Sequence, residues 1–323
     1  MRYYSLEDTI NEFFSGCTVT RDECDQKAVQ LTGEPVRPVP IQGSFSYTVA
    51  GEKLLVQFRV SHSLIDTERL ALARKIHGDV VPTCVAKETF GASPALTVYV
   101  MDKVPGITYI EASMAALRCP AWQEQTVADF ARRFFASSWR NRLAGASYRA
   151  EYSLAEMQDR LDTPSEMLPL RFHRAIADIR EELPIIFTPS YPLVLGHGDL
   201  CELNILVDPE AGGIKGIIDW AEAKISPFGM SLWGVLNMLG KMNSQGWHYH
   251  DNSPQLERLF WKVFYENAGE VSTGDRRAIT VAERIGLLLR YGSTWEDGVR
   301  ERPVIERDSS FRYLDAFLPR LQD

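Results

Sequence analysis

Four polar residues between positions 197 and 219 have the types and spacing that phosphate and metal chemistry needs. The segment "LGHGDLCELNILVDP" places His197, Asp199 and Asn204 close together, and Asp219 follows in "GIIDW". An amide oxygen and a carboxylate, completed by phosphate oxygens and water, commonly hold Mg²⁺ in phosphoryl-transfer sites. We therefore expect Asn204 and Asp219 to bind Mg²⁺, and Asp199 to orient a hydroxyl group nearby.

A β-hairpin is expected to bring the two metal-binding residues together. Two short apolar runs flank "DPEAGG", which is strong turn chemistry. If Val207 pairs with Ile214, Asn204 lies at the open end of the hairpin and Asp219 lies just beyond it. Cross-strand neighbours are about 5 Å apart, so both side chains can converge on one point.

The composition is that of an ordinary globular protein and excludes several classes of function. The 323 residues suggest one large domain or two lobes, and 45% of them are hydrophobic. A net charge of −8 argues against nucleic-acid binding. No apolar run is long enough for a membrane span, and the first residues lack a signal-peptide pattern. Five scattered cysteines without a C-x-x-C motif argue against a disulfide framework, so we expect a cytoplasmic protein.

Secondary-structure signals divide the chain into a smaller α+β part and a larger helical part. Thr20 and Glu23 form a capping box for a helix that stops near Gly33. A β-hairpin over 47–60, the helix "DTERLALARKIHG" and the β-rich run "LTVYVMDKVPG" follow. After a break near 103–106, helices dominate, including "FGMSLWGVLNMLG", "RAITVAERIGLLLRYG" and a stripe of buried aromatic residues from Phe130 to Trp139.

At this point the sequence resembles a known family. "LGHGDLCELNILVD" with "GIIDWAEAKISPFG" is similar to the aminoglycoside phosphotransferase and choline kinase family, and "IQGSFSYTV" and "LLVQFRV" resemble its fungal members in particular. The likeness spans about 35–320. It implies an α+β, protein-kinase-like two-lobe fold with a small N-terminal β-rich lobe and a larger, mainly helical C-terminal lobe. The corresponding domains are an N-terminal helical extension, an N-lobe and a C-lobe: 1–34, 35–102 and 103–323.

The resemblance also implies a role for each residue of the motif. Asp199 would be the catalytic base, Asn204 and Asp219 the Mg²⁺ ligands, and His197 the structural anchor of the loop. In the N-lobe, Gly43 and Ser44 would belong to the loop that covers ATP, although a plain turn explains them nearly as well. Backbone groups from Val100 to Asp102 would contact adenine.

One departure from the family concerns the phosphate-binding cation. The usual lysine or arginine is replaced by Gln57, and Arg59 on the same strand face could supply the charge instead, paired with Glu68 of the next helix. A second departure puts Ser231 where the family often has an aspartate. Because of Gln57, a pseudokinase with a binding role remains an alternative, as does an enzyme of secondary metabolism with a different reaction.

The expected function is an ATP- and Mg²⁺-dependent phosphotransferase that acts on a hydroxyl of a small molecule. Only a short segment separates Asp219 from the next expected helix, which leaves no room for a peptide-binding activation segment. Residues 106–323 contain 24 Lys and Arg and 30 Asp and Glu, so this part of the chain has a net negative charge. Such a charge favours neutral or cationic acceptors such as amines or amino sugars.

Several nearby residues are weaker candidates. Glu222 is either a salt-bridge partner or a substrate contact. Cys201 lies beside the motif without an activating base, so we expect no nucleophile there. His248 and His250 form a lone pair that is expected to lie in a surface loop and not to bind metal.

Overall fold

The computed structural model describes residues 4–114, 119–144, 148–296 and 300–321. Two compact units are present: one takes the chain up to Gly106 together with Lys215–Ala221, and the other takes Ile107–Ile214 together with the chain from Glu222 onward. The chain therefore leaves the first unit after Gly106 and returns to it for seven residues. The domain limits proposed from sequence do not contain this return, and they stay predictions.

The described part of the first unit contains a five-stranded antiparallel sheet and three α-helices. The strands follow the order β1–β2–β3–β5–β4. Their bounds are β1 (Arg37–Pro38), β2 (Ser46–Ala50), β3 (Leu54–Arg59), β4 (Cys84–Phe90) and β5 (Leu96–Asp102). The helices are α1 (Leu6–Ser15), α2 (Arg21–Thr32) and α3 (Thr67–His77).

Local sequence signals account for most of the first unit. The capping box of Thr20 and Glu23 is present at the start of α2, and Gly33 ends that helix in a left-handed conformation. The predicted hairpin is present as β2 and β3, with Tyr47 opposite Phe58. Apolar residues at alternate positions of β3 are buried and pack with α1 and α2 in one core: Ile10, Cys24, Ala28, Tyr47, Val49, Val56 and Phe58.

The second unit is mainly helical. Its helices are α4 (Tyr109–Met114), α5 (Pro120–Asp129), α6 (Ser137–Arg140), α7 (Leu154–Met167), α8 (Leu170–Glu182), α9 (Trp233–Leu236), α10 (Ser253–Ala268), α11 (Thr273–Tyr291) and α12 (Ser309–Phe317). Its strands are β6 (Ile107–Thr108), β7 (Leu193–Gly196), β8 (Ile205–Val207), β10 (Lys224–Pro227), β11 (Gly240–Asn243), β12 (Gly246–Tyr249), β13 (Ser293–Glu296) and β14 (Arg300–Pro303). One further strand, β9 (Ile214–Ile217), begins in this unit and continues into the first.

An aromatic cluster forms the centre of the second unit. The predicted stripe is buried, including Phe130, Phe134, Phe135 and Trp139. Between α5 and α6 the helix widens to i→i+5 turns over Phe130–Ala136. The stripe packs edge-to-face against Phe228, since the ring centroids of Trp139 and Phe228 are 4.9 Å apart.

The long helix predicted in "FGMSLWGVLNMLG" is wrong. Only α9, four residues long, is α-helical. Gly229 has a φ of +98°, which an α-helix does not accommodate. The following turns are held by i→i+3 hydrogen bonds, for example from Leu232 N–H to Gly229 C=O (2.9 Å) and from Met238 N–H to Val235 C=O (2.9 Å). Apolar periodicity alone did not distinguish this chain of tight turns from a helix.

The division into a β-rich and a helical part is confirmed. The first unit is β-rich and the second is mainly helical, as the sequence predicts, which places the chain in the α+β class. Within the described parts of the chain, no helix combines the length and apolar character required to cross a membrane.

Candidate active site

The loop that follows β7 holds His197 and Asp199 in a fixed arrangement. His197 is fully buried, and its Nδ1 accepts the backbone N–H of Asp199 at 3.3 Å. Gly198 between them has a φ of +81°, and a Cβ atom there would overlap the backbone oxygen of Glu222. A buried imidazole that orients the next turn agrees with the anchoring role proposed for His197.

Asp199 and Asn204 are joined directly. The Nδ2 of Asn204 donates to the backbone oxygen of Asp199 at 2.8 Å and to its Oδ2 at 3.0 Å. Asn204 is 7% exposed. Because its amide N–H groups point to Asp199, its Oδ1 is left as an oxygen without a hydrogen-bond donor among the described residues. A buried amide oxygen of this kind suits a hard cation.

A third residue contacts the same carboxylate. Arg290, near the end of α11, donates from Nη2 to Asp199 Oδ1 at 2.6 Å. Both oxygens of Asp199 are therefore held, one by a guanidinium and one by an amide. Sequence analysis missed Arg290 because 91 positions separate it from Asp199 and no motif marks it.

Burial raises the pKa of two side chains next to Asp199, those of Glu202 and Cys201. It raises the pKa of the Glu202 carboxyl, and the positive charge of Arg290 opposes that effect. Burial, followed by the negative charge of Asp199, raises the pKa of the Cys201 thiol to about 11. The thiol is therefore protonated at neutral pH, which agrees with the expectation that Cys201 is not a nucleophile.

The turn after β8 leads the chain towards Asp219. Asp208 N–H donates to Gly213 C=O at 2.8 Å, which closes the turn, as the sequence "DPEAGG" predicts. At the start of β9, Ile214 N–H donates to Asp129 Oδ2 at 3.1 Å. The turn and the first residue of β9 are therefore anchored to helix α5.

Asp219 has a strained backbone. Its φ of +58° makes it the single non-glycine residue with a positive φ in the described ranges. The next residue is buried: Trp220 packs on His77 with ring centroids 5.5 Å apart and donates from Nε1 to Ile217 C=O at 2.9 Å. Strained, exposed polar residues that are held by well-packed neighbours are typical of functional sites.

The residues proposed as Mg²⁺ ligands have suitable chemistry. Asn204 offers an amide oxygen, and the exposed Asp219 offers a carboxylate. No cluster of three or more His, Cys, Asp or Glu suited to a metal occurs in the part of the chain that is described. A site with two protein ligands and phosphate oxygens needs no such cluster. Asn204 belongs to the second unit and Asp219 to the first, so their convergence stays a prediction.

Gly43 and Ser44 lie in an exposed turn immediately before β2. Ser46 N–H donates to Gly43 C=O at 3.4 Å, and a Cβ atom on Gly43 would come within 3.1 Å of Ser46 Oγ. Behind the turn, the buried Gln42 accepts Thr48 N–H at 2.8 Å. The structure thus fixes the base of the turn, and phosphate binding by the turn itself stays a prediction.

Gln57 and Arg59 form one hydrogen-bonded network on β3. Arg59 is 5% exposed and donates from Nη1 to Gln57 Oε1 at 3.1 Å. It also donates to the backbone oxygen and hydroxyl of Ser63 at 2.5 and 2.7 Å. Gln57 in turn donates from Nε2 to Thr48 Oγ1 at 3.0 Å. Glu68 lies exposed on the first turn of α3, and its pairing with Arg59 stays a prediction.

Replacing Gln57 with lysine is expected to weaken both folding and nucleotide binding. Lysine cannot accept from Arg59, and its ammonium would lie beside the guanidinium. We expect a loss of about 1–3 kcal/mol in the free energy of unfolding and weaker Mg-ATP binding, measured by urea denaturation and calorimetry. Gln57→Leu, which loses the same hydrogen bonds without adding charge, is the control. Tighter ATP binding by Gln57→Lys would show instead that position 57 faces the phosphates.

The predicted hinge lies at the end of β5, which is paired on both sides. Val100 lies opposite Val56 of β3 and Val85 of β4. Asp102 N–H donates to Thr83 C=O at 3.3 Å. Lys103 N–H donates to Lys53 C=O at 2.8 Å. Contacts of adenine with the backbone around Val100 and Asp102 stay a prediction. Because the N–H groups of Asp102 and Lys103 already have acceptors, adenine would have to contact the carbonyl groups here or the residues after Lys103.

Comparison with known protein families gives one decisive match. Residues 68–249, more than half of the chain, match the phosphotransferase enzyme family, known as APH. The chain belongs to this family. The matched residues include all of the motif from His197 to Asp219. Among curated proteins, none matches the sequence significantly. The closer likeness to fungal members stays a prediction.

Solved structures show the fold of an APH phosphotransferase. A choline/ethanolamine kinase family protein from Mesorhizobium loti is 16% identical, with a TM-score of 0.55 and coverage of 93% of each chain. An amicoumacin kinase solved with AMP-PNP and Ca²⁺ is 14% identical, with a TM-score of 0.55, covering 94% of this chain and 96% of that one. An ADP-bound aminoglycoside phosphotransferase is 15% identical, with a TM-score of 0.51, covering 93% and 97%. The predicted protein-kinase-like fold is confirmed.

The weaker candidates of this APH chain also have defined positions. Glu222 makes an exposed ion pair with Lys224 at 3.8 Å, which favours a salt-bridge role for it. His248 lies on β12, and its Nε2 is 3.0 Å from Asn243 Oδ1. The expectation of a surface loop at this histidine is wrong, because residues 240–249 form the hairpin of β11 and β12. Ser231 lies near β7, because a Cβ atom added to Gly196 would come within 3.2 Å of the Ser231 Oγ.

Proposed function

We propose that this phosphotransferase is an ATP- and Mg²⁺-dependent kinase that phosphorylates a hydroxyl group of a small metabolite. The observation that carries the proposal is the arrangement of Asp199 and Asn204. The carboxylate is oriented at both oxygens, and the amide of Asn204 is turned so that its Oδ1 is available to a cation. The same two residues thus provide a base and a metal ligand, the combination that phosphoryl transfer uses.

Asp199 is assigned the role of catalytic base. The acceptor oxygen attacks the γ-phosphorus of ATP while the bond from that phosphorus to the β–γ bridging oxygen breaks and ADP leaves. The proton of the acceptor hydroxyl passes to a carboxylate oxygen of Asp199 and then to solvent. An ionised carboxylate has about four acceptor positions, so Asp199 can receive this hydroxyl while it keeps its bonds to Asn204 and Arg290.

Asn204 and Asp219 are assigned the binding of Mg²⁺. When bound, the ion supplies positive charge that stabilises the negative charge developing on the phosphate oxygens. The donor set supports this assignment, since Mg²⁺ prefers carboxylate and amide oxygens to nitrogen or sulfur. The strained backbone at Asp219 gives independent support, because strain of this kind persists where it positions a functional group.

ATP recognition is assigned to the first unit. Gly43 and Ser44 would contact phosphate through the backbone, and Val100 to Asp102 would contact adenine. The cation for the phosphates would be Arg59, with Gln57 and Glu68 as its partners. The buried, hydrogen-bonded position of Arg59 supports a cation held ready on the sheet.

A binding role without transfer is the second candidate. The observation in its favour is Gln57, which occupies the position of the usual phosphate-binding cation and is engaged by Arg59 and Thr48. If Arg59 cannot leave its contacts with Ser63, the triphosphate lacks a cation on this strand. Such a protein would bind a nucleotide or a small molecule and turn over ATP poorly or not at all.

The acceptor is expected to be a small molecule, with amines and amino sugars favoured. Between Asp219 and β10 lie only the turn of Trp220–Glu222 and Ala223, and β10 then pairs with β7. This segment offers no extended support for a peptide. An aminoglycoside phosphotransferase of similar fold was solved with gentamicin. The net negative charge of the chain after residue 105 agrees with cationic acceptors. A cytoplasmic location stays a prediction.

An acceptor screen tests the proposed function. We expect radiolabelled ATP with Mg²⁺ to transfer phosphate to at least one member of a panel of amines, amino sugars and alcohols, and to no generic protein substrate. In parallel, Mg-ATP should raise the melting temperature, because a ligand at 100 times its Kd stabilises the folded state by about 2.7 kcal/mol.

The outcomes of the screen separate the candidates. Stabilisation by Mg-ATP without transfer to any acceptor or to water would favour the binding role. Robust labelling of proteins with none on small molecules would contradict the substrate class. No stabilisation at millimolar Mg-ATP would contradict nucleotide binding altogether.

A further inference from the structure

We infer that Arg290 is a positioning residue that holds the carboxylate of Asp199 in its reactive orientation. This inference rests on the proposed function of Asp199 as a base, and it adds a residue outside the motif. Arg290 lies one residue before the end of α11, far along the chain from the catalytic loop. The loop alone therefore does not complete the site, since a helix from the last part of the chain contributes to it.

The contacts of Asp199 show why a second support is needed. Asn204 holds Oδ2 at 3.0 Å, and Arg290 holds Oδ1 at 2.6 Å. With Asn204 alone, the carboxylate could still rotate about its terminal bond. The bond from Arg290 fixes the plane of the carboxylate.

Arg290 is itself held on an aromatic surface. Its guanidinium carbon lies 4.9 Å from the ring centroid of Trp233 on α9. The neighbouring Tyr291 donates its hydroxyl to Asn237 Oδ1 at 3.1 Å and stacks on Tyr313 with centroids 4.9 Å apart. The end of α11 is therefore anchored on two sides, so Arg290 presents its charge to Asp199 from a rigid position.

The hydrogen bonds of Arg290 differ from those of a structural arginine in the same unit. Arg302 donates to both carboxylate oxygens of Asp308 and to a backbone oxygen. Within the described ranges, the side chain of Arg290 donates a hydrogen bond to Asp199 alone, and its Nε is buried without a hydrogen-bond acceptor. A burial cost of this kind is tolerated where the group serves function rather than stability. The guanidinium is thus directed at the catalytic carboxylate.

Kinetics of two Arg290 variants test the inference. Gln at position 290 removes the charge together with the guanidinium that lies on Trp233, whereas Lys keeps the charge without the planar fork. We expect Arg290→Gln to lower kcat by about 10- to 100-fold, the scale of a misplaced catalytic group, and to leave the KM for ATP within about threefold. Arg290→Lys should recover part of kcat. The reaction is followed as ADP release, with the best acceptor of the panel and with water.

A matched variant on the same helix is the control. Arg277 of α11 forms an exposed ion pair with Glu182 at 3.0 Å, so Arg277→Gln should change neither kcat nor KM. An unchanged kcat in folded Arg290→Gln would overturn the inference. A rise in the KM for ATP at constant kcat would also overturn it, because Arg290 would then bind the nucleotide.

A double-mutant cycle tests the pair without relying on turnover. The melting temperatures of Asp199→Ala, which removes both carboxylate oxygens, of Arg290→Gln and of the double variant are compared with that of the wild-type protein. We expect the second substitution to lower the melting temperature less when the first is already present, because the shared bond is then lost once. Strict additivity would show that Arg290 does not hold Asp199. If the wild-type protein transfers no phosphate, the proposed function is contradicted. The double-mutant cycle alone then tests whether Arg290 pairs with Asp199.

Discussion

Replacing Asp199 with asparagine is expected to reduce phosphoryl transfer by about 100- to 10,000-fold, the range for a lost general base. Asparagine has nearly the same shape but cannot take the proton of the acceptor hydroxyl. Binding of Mg-ATP should remain within about threefold, because the backbone oxygen of residue 199 still accepts from Asn204 at 2.8 Å and keeps that ligand in place. Transfer is measured as ADP release, and binding is measured by calorimetry.

A surface variant in the same unit separates this effect from a general loss of structure. Asp159 is exposed on α7, so Asp159→Asn should leave both transfer and binding unchanged. If Asp199→Asn retained more than a tenth of the original kcat, Asp199 would not be the base. A parallel loss of Mg-ATP binding would move Asp199 from proton transfer to metal binding.

Replacing Asp219 with asparagine is expected to weaken the Mg²⁺-dependent binding of ATP. Asparagine tolerates a positive φ about as well as aspartate, so the backbone at +58° should be preserved while the charge is removed. We expect kcat/KM for Mg-ATP to fall by about 100- to 1,000-fold, the cost of losing one electrostatic stabiliser of the transition state. Raising the Mg²⁺ concentration should restore part of the loss, which titration of activity against Mg²⁺ measures.

Alanine at the same position provides a contrast. Asp219→Ala loses the charge and adds backbone strain of about 1–2 kcal/mol, so it should melt at a lower temperature than Asp219→Asn. Asp22→Asn, an exposed change on α2, is the neutral control. An Asp219→Asn variant with normal Mg²⁺ dependence would show that another residue binds the ion.

The parts of the fold that sequence predicted well depend on interactions between near neighbours. Thr20 and Glu23 are three residues apart, and their capping box is present. The hairpin of β2 and β3 follows from alternating apolar residues and a short turn. Such signals need only a few residues, so their outcome does not depend on the rest of the chain.

The parts that sequence did not predict depend on tertiary packing. The apolar pattern of "FGMSLWGVLNMLG" suits a helix, yet Gly229 and successive i→i+3 turns replace most of it. These apolar residues are buried in either conformation, so periodicity could not decide between them. The widening of the helix over Phe130–Ala136 likewise leaves the aromatic stripe buried and has no signature in the pattern.

The candidate site shows the same division. Asp199 and Asn204 belong to one short motif, and the structure joins them by two hydrogen bonds. The third member, Arg290, comes from a helix whose sequence shows only an apolar stripe and a glycine stop. Whether an arginine at such a helix end meets solvent or a carboxylate is decided by the packing of α11 against α9 and α12, which the sequence alone does not reveal.

The return of Lys215–Ala221 to the first unit limits how this protein can exchange parts with its relatives. A single genetic crossover after Gly106 would take His77 from one parent and Trp220, which packs on it, from the other. The same crossover would take Asp219 from a parent other than the one that supplies the five-stranded sheet. A complete transplant of the first unit therefore requires three crossovers, so its two pieces are expected to be inherited together and to change in step.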